Sequence, residues 1–185
     1  MSKIIMIGGP PRCAKTTLAK ELAGKLNCSW ISADAIDEMV KEYIDPDQIA
    51  TLFPKTALRK KSGGGNDEMY SKFSVEEIVN AYQTQAETVS KAVKSLVRYA
   101  IKDDRDYVIE GYHVTPKLIA DLTSKDENIS GLIVINSDGS SSVQKSMESN
   151  NSNDWLRDGT SQKETLNTPN YEITSHFMTV DHCLK

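Results

Sequence analysis

Apolar residues fall in short blocks along this chain, and between the blocks hydrophobic positions recur every three or four residues. The run at 3–7, closed by Gly8 and Gly9, has the unbroken apolar character of a strand buried on both faces of a parallel sheet. Residues 16–26 carry Leu18, Leu22 and Leu26 four apart, which predicts a helix with one apolar face. Ser29-Trp30-Ile31-Ser32 predicts a second strand, and Ile36, Met39, Val40 and Tyr43 share a side of the helix after it. From 45 to 74 the pattern loosens. Pro46, Pro54, the basic group Arg59-Lys60-Lys61 and the consecutive Gly63, Gly64 and Gly65 predict an insertion over the sheet, partly helical and partly mobile. Ser74, with Glu77 three residues on, is a capping-box signature that opens a long amphipathic helix running to about Lys102.

A third strand is predicted at 107–109, ending at Glu110-Gly111, and a fourth at 131–135, with a helix at 115–123 between them. Strands alternating with helices imply right-handed crossovers, so the fold class is α/β: a three-layer α/β/α arrangement around a parallel sheet, in a single domain over 1–185. After Asn136 the chain is rich in serine and asparagine, and 137–168 is expected to form a lid loop. The last segment, from Tyr171, places Ile173, Phe177, Val180 and Leu184 at helical spacing, with no fifth strand pattern.

Composition narrows the partners. The net charge is -4 with a pI near 5.4. That balance argues against a basic face for a nucleic-acid duplex, while leaving room for a local basic pocket that holds a small anion. The three cysteines, Cys13, Cys28 and Cys183, contain no C-x-x-C pair. Neither a disulfide framework nor a zinc site is indicated, and a reducing compartment is the simplest setting. No stretch approaches the roughly 20 apolar residues of a membrane span, and the first apolar run is too short for a signal-peptide core. The expectation is a cytoplasmic protein without membrane partners.

The candidate chemistry begins where the first strand ends. Gly8-Gly9-Pro10-Pro11-Arg12-Cys13-Ala14-Lys15-Thr16-Thr17 is one substitution from the phosphate-binding pattern G-x-x-x-x-G-K-[ST], counted from Gly9, with alanine at the second glycine. A strand precedes it and a helix follows, as the mechanism needs. Backbone N–H groups of the loop and the helix N-terminus converge on phosphate oxygens there. The candidate contacts are Gly9, Pro11, Arg12, Cys13, Ala14, Lys15, Thr16 and Thr17, with Lys15 reaching the β and γ phosphates and the Thr16 hydroxyl ligating magnesium. Glycine serves such loops where φ is positive, and another residue forced there costs about 1–3 kcal/mol. Cys13 reads either as a thiol activated by the helix N-terminus or as a small side chain facing away from phosphate.

Taken together, GGPPRCAKTTLAKEL, SWISADAI and YVIEGYHVTPKLI resemble the P-loop NTPase fold, in particular the small kinases of the nucleoside monophosphate kinase group. The E-G-x-H at the end of the third strand most resembles 2-phosphoglycerate kinase and related small-molecule kinases. The resemblance covers 3 to about 136. It implies a sheet of order 2-3-1-4-5, an inserted helical acceptor-binding segment at 45–74, and a lid after the fourth strand. It also implies a kinase using ATP and Mg2+ on a small-molecule or nucleotide acceptor.

Each carried-over residue keeps a plainer alternative. Asp34 sits where those kinases place a carboxylate near magnesium or the acceptor hydroxyl, and also reads as a helix N-cap. Glu110 is a candidate magnesium ligand or an ordinary strand-end acid. His113 reads as an acceptor contact or as a loop histidine satisfying backbone groups. Arg59, with Lys60 and Lys61, reads as an anion trap or a solvated helix face. Lid cations are sparse, Lys145 and Arg157 among them with no R-x-x-x-R pair, so Arg157 is the candidate lid cation, alongside Arg12. Ala14 and the thin lid sustain the alternative of an ATP-binding regulator or degenerate kinase with little turnover.

Overall fold

The computed structural model describes residues 2–10 and 13–135. Pro11, Arg12, the 137–168 segment with Lys145 and Arg157, and the helical pattern from Tyr171 lie outside the described residues. The elements run β1 (Ile4–Gly8), α1 (Lys15–Leu26), β2 (Ser29–Ser32), α2 (Ala33–Lys41), α3 (Ile49–Leu52), α4 (Pro54–Ser62), α5 (Asn66–Lys72), α6 (Val75–Lys102), β3 (Tyr107–Glu110), α7 (Pro116–Thr123) and β4 (Ile129–Ile133). The four strands form one sheet in the order β2-β3-β1-β4, every pairing parallel. An α/β fold with this order is consistent with a P-loop NTPase.

Alternation along β1 explains the layers. Ile4 and Met6 point into one core with Ile36 of α2, Val89, Val93 and Val97 of α6, and Leu118 of α7. Ile7 points the other way and meets Ala19 and Ala23 of α1, with Val108. A strand covered on both faces reads as an unbroken apolar run, which is why β1 was plain in the sequence.

Three expectations need correction. The leucine face of α1 is not its packed face: Leu18 and Leu26 are exposed, while Lys15, Ala19 and Ala23 are buried. Small side chains let the helix axis approach the sheet closely, and bulky leucines there would push its N-terminus off the loop that it must hold. On α2, likewise, Met39 is exposed, as is Tyr43 beyond its end, and Ile36 is buried beside Asp37 and Ala33. The fourth strand begins two residues earlier than its apolar run, because Ile129 pairs with Ile4 in the first rung of the ladder.

The long helix α6 starts on the complete capping box: Ser74 Oγ accepts from Glu77 N at 3.2 Å, and Ser74 N donates to Glu77 Oε2 at 2.8 Å. Between Asp45 and Ser74 lie three short helices. The triple glycine joins the last two, with Gly63 N and Gly64 N closing the end of α4 on the Lys60 and Arg59 carbonyls. Among the described residues no helix is long and apolar enough to cross a membrane.

Candidate active site

The carboxyl ends of β1 and β3 and the N-terminus of α1 meet at one point. There the Gly8 carbonyl accepts from Val134 N at 2.8 Å, and Gly111 N donates to Ile7 O at 3.1 Å, so the chain after each neighbouring strand walls in the loop. A Cβ on Gly8 would lie 2.0 Å from Val114 O, and one on Gly9, whose φ is +142°, would lie 2.2 Å from Val134 O. Both obstacles are backbone, so both glycines are required by close approach, and Gly9 by its conformation as well.

Ala14 occupies the left-handed region, with φ 57° and ψ 21°, as the N-cap of α1. That is the conformation the glycine of the pattern supplies. Alanine is accommodated because its methyl group faces solvent. The residual cost is local to its backbone. Ala14→Gly is therefore expected to raise stability by about 0.5–1 kcal/mol, the relief at positive φ being partly offset by a more flexible unfolded chain. A rise in the urea midpoint at constant slope checks this, and a fall would contradict the left-handed assignment.

Lys15 opens α1 and is only 8 % exposed, its Nζ donating to the Pro10 carbonyl at 2.7 Å. Burial lowers its pKa below the ordinary lysine range, against the opposing pull of Cys13, Glu110 and Asp34. Cys13 is buried beside it. Thr16 Oγ1 donates to Glu110 Oε1 at 3.1 Å across 94 positions of sequence. Burial raises the Glu110 pKa, and Asp34 adds to that, while Lys15, Thr16 and Ser32 counteract. Thr17 is exposed on the first turn of α1.

Asp34 is not the N-cap of α2. Ser32 takes that role, its Oγ accepting from Asp34 N at 3.2 Å, which leaves the Asp34 side chain half-exposed on the cleft. His113 is 1 % exposed and packs against Tyr112, whose ring centroid lies 3.7 Å away. The His113 Nδ1 lies 3.3 Å from Asp34 Oδ1 and its Nε2 3.5 Å from Asp37 Oδ1. Partial burial pushes the Asp34 carboxyl up, but bonding and charge from His113, helped by Lys55 and Lys15, hold it below the usual range. Asp37 is likewise held low once His113 and Lys41 outweigh its burial.

Beside these carboxylates opens a cleft of about 590 Å³, walled by α2, α4, Gln85 of α6 and Tyr112. Arg59 lines it, its Nε donating to Gly64 O at 2.7 Å, whereas Lys60 and Lys61 are exposed away from it. Of the basic triplet, one residue faces the cleft and two form a solvated surface.

Sequence reasoning missed Asp37, Lys41, Lys55 and Gln85. Asp37 joins Lys41 Nζ at 2.7 Å and accepts from Gln85 Nε2 at 3.0 Å; Gln85 Oε1 in turn accepts from Thr56 N at 3.2 Å. One signal was present: a glutamine within the apolar stripe of α6 needs polar partners when buried.

The oxygen donors fit the groups that the loop implies. Thr16 and Glu110 offer a hydroxyl and a carboxylate, the hard ligands that magnesium takes alongside phosphates and water. Among the described residues no group of three or more His, Cys, Asp or Glu forms a cage for a metal by itself. A magnesium ion held there would need a phosphate to complete its shell.

No protein-family model matches the chain. The 2-phosphoglycerate kinase of Pyrococcus furiosus is 32% identical over 117 residues, which is 63% of this chain and 37% of that protein. That of Pyrococcus horikoshii is 30% identical over the same shares, and that of Methanothermobacter thermautotrophicus 24% identical over 73% of this chain and 43% of the relative. The chain is thus a distant homologue of archaeal 2-phosphoglycerate kinases, a P-loop kinase family, and it spans about two fifths of their length. A solved structure of an uncharacterized protein from Eubacterium ventriosum is 18% identical, with a TM-score of 0.47, covering 97% of this chain and 80% of that one.

Proposed function

We propose that the chain is an ATP-dependent phosphotransferase that moves the γ-phosphate of Mg-ATP to a hydroxyl of a small-molecule or nucleotide acceptor. The observation that carries this reading is the grouping of Lys15, the Thr16–Glu110 pair and Asp34 within electrostatic reach of one another, with Asp34 also lining the neighbouring cleft. Binding and transfer ask for different groups, and both sets lie there.

Lys15 and the amides at the start of α1 hold the phosphates and stabilise charge on the moving group. Thr16 and Glu110 would hold the magnesium ion, whose charge neutralises that of the phosphate oxygens. Asp34 faces the cleft and stays ionised at neutral pH, so it can accept the hydrogen bond, and then the proton, of an acceptor hydroxyl. Orientation supplies much of the rate in phosphoryl transfer, and His113, whose Nδ1 stands 3.3 Å from Asp34 Oδ1, is placed to orient it.

The test is ADP formation by the full chain with Mg-ATP and an acceptor panel of 2-phosphoglycerate, nucleoside monophosphates and sugars. At least one acceptor is expected to raise ADP release well above that of a Lys15→Ala control. Tight ATP binding by calorimetry with no acceptor-dependent release would instead favour a binding protein with little turnover.

A further inference from the structure

Gln85 is 1 % exposed within the apolar stripe of α6, a place that a polar amide tolerates only when both of its ends are met. Its Oε1 accepts from Thr56 N at 3.2 Å and from Thr56 Oγ1 at 3.3 Å. Its Nε2 donates to Asp37 Oδ1 at 3.0 Å and to Tyr112 Oη at 3.4 Å. Burial would raise the Asp37 carboxyl, but His113 and Lys41 outweigh it and keep the group ionised at neutral pH. The amide therefore sits only one way round, because a backbone N–H donates and an ionised carboxylate accepts.

Each partner has a local reason to need this amide. Helix α4 begins at Pro54 behind Phe53, whose side chain carries no acceptor, so the Thr56 amide in the first turn has no cap from its own segment. Asp37 gives Oδ2 to Lys41 at 2.7 Å and turns Oδ1 to Gln85 and, 3.5 Å away, to His113 Nε2. The other ring nitrogen stands 3.3 Å from Asp34 Oδ1. A row thus runs from the start of α4 through Gln85, Asp37 and His113 to Asp34 on the cleft. Its two histidine contacts are long for hydrogen bonds, so the place of the ring depends on where the flanking carboxylates are held. Lys41 belongs to α2 and moves with Asp37, whereas Gln85 ties Asp37 to α6 and, through Thr56, to α4.

We infer that Gln85 is a positioning residue for phosphoryl transfer, holding α4 and Asp37 in fixed relation so that the His113 ring keeps Asp34 aimed at the acceptor hydroxyl. The inference rests on the kinase reading above and adds to it a residue, buried and out of reach of either substrate, on which the aim of the base depends. It acts on the chemical step and leaves the phosphate loop alone, since none of its bonds reaches α1.

Steady-state kinetics of the full chain at pH 7 test it, with Mg-ATP and the panel of 2-phosphoglycerate, nucleoside monophosphates and sugars. Gln85→Met keeps the volume and removes both ties. Its kcat is expected to fall about tenfold, part of the roughly 10²-fold that a misplacement of about 1 Å can cost. KM for Mg-ATP is expected to stay at the wild-type value. Val93→Ala, a truncation in the buried face farther along the same helix, controls for lost stability and keeps wild-type kcat. Urea titrations establish that each variant is folded under assay conditions. Because Gln85 acts through Asp34, Gln85→Met combined with Asp34→Asn falls no further than Asp34→Asn alone. Should Gln85→Met not fold, Gln85→Asn, an amide too short to join Thr56 to Asp37, is expected to lower kcat several-fold with the same dependence on Asp34. Wild-type kcat in the folded variant overturns the inference, as does an equal fall in Val93→Ala or a double variant in which the two losses multiply. No ADP release by wild type with any acceptor sinks the kinase reading, and this inference with it.

Discussion

Lys15→Ala is expected to lower phosphoryl transfer by about 10²–10³-fold, the usual cost of removing one preorganised group that meets developing charge, and to leave the fold as stable as before. The two halves have one cause. Burial lowers the Lys15 pKa relative to the unfolded chain, so the folded state is the worse host for the ammonium. At neutral pH the charge is a burden on folding, and alanine removes it together with one hydrogen bond to the Pro10 carbonyl. In wild type the unfolded state binds more protons between the lowered pKa and the ordinary lysine value, so stability rises with pH across that window. The variant lacks that rise. Parallel urea titrations at pH 7 and pH 10 check it, and a variant clearly less stable than wild type at pH 7 would show that Lys15 is there for packing.

Asp34→Asn carries the second large effect: a fall in kcat of about 10²–10⁴-fold, the range for a positioned general base, with Mg-ATP affinity unchanged. Asp37 is the natural comparison, because both carboxylates touch His113 but only Asp34 opens on the cleft. Asp37 is buried and tied to Lys41 and Gln85. Asp37→Asn should therefore cost about 2 kcal/mol of stability, below the roughly 3–5 kcal/mol of breaking a buried ion pair, because Glu38 still holds Lys41. It should reduce kcat far less than Asp34→Asn. The pKa of Asp37 is lowered in the fold, so its contribution is present above the unfolded value near 3.9 and disappears as pH falls through the folded one. Wild-type turnover in Asp34→Asn would remove it from the chemistry.

The site was legible in proportion to how locally it is encoded. Lys15 and Thr16 follow Gly9 within one loop, so the motif and its flanking strand and helix were visible at once. Asp34 was visible too, but its role was not, since it could have capped α2 and the choice lies in which oxygen meets which amide. His113 was noticed, but its neighbours were not, and only its packing against Tyr112 shows that it is buried. Lys55 gave no signal, because a lone lysine after Pro54 differs from any solvated lysine only by the two tyrosines around it.

By itself the amino-acid sequence determined the alternation of strands and helices, the capping box of α6 and the phosphate-loop chemistry, each of which depends on residues within a few positions of one another. Helix period, strand burial and loop conformation are short-range properties, and side-chain pattern records them directly. Tertiary structure alone decided that Thr16 meets Glu110, that His113 stands between Asp34 and Asp37, and that Lys55 and Arg59 face the same cleft as Asp34. Those meetings follow from the strand order β2-β3-β1-β4, which brings the ends of β1, β2 and β3 together, and from the docking of α4 on α6. Such placements are set by the sum of many burial contacts, and no short stretch of sequence contains that sum.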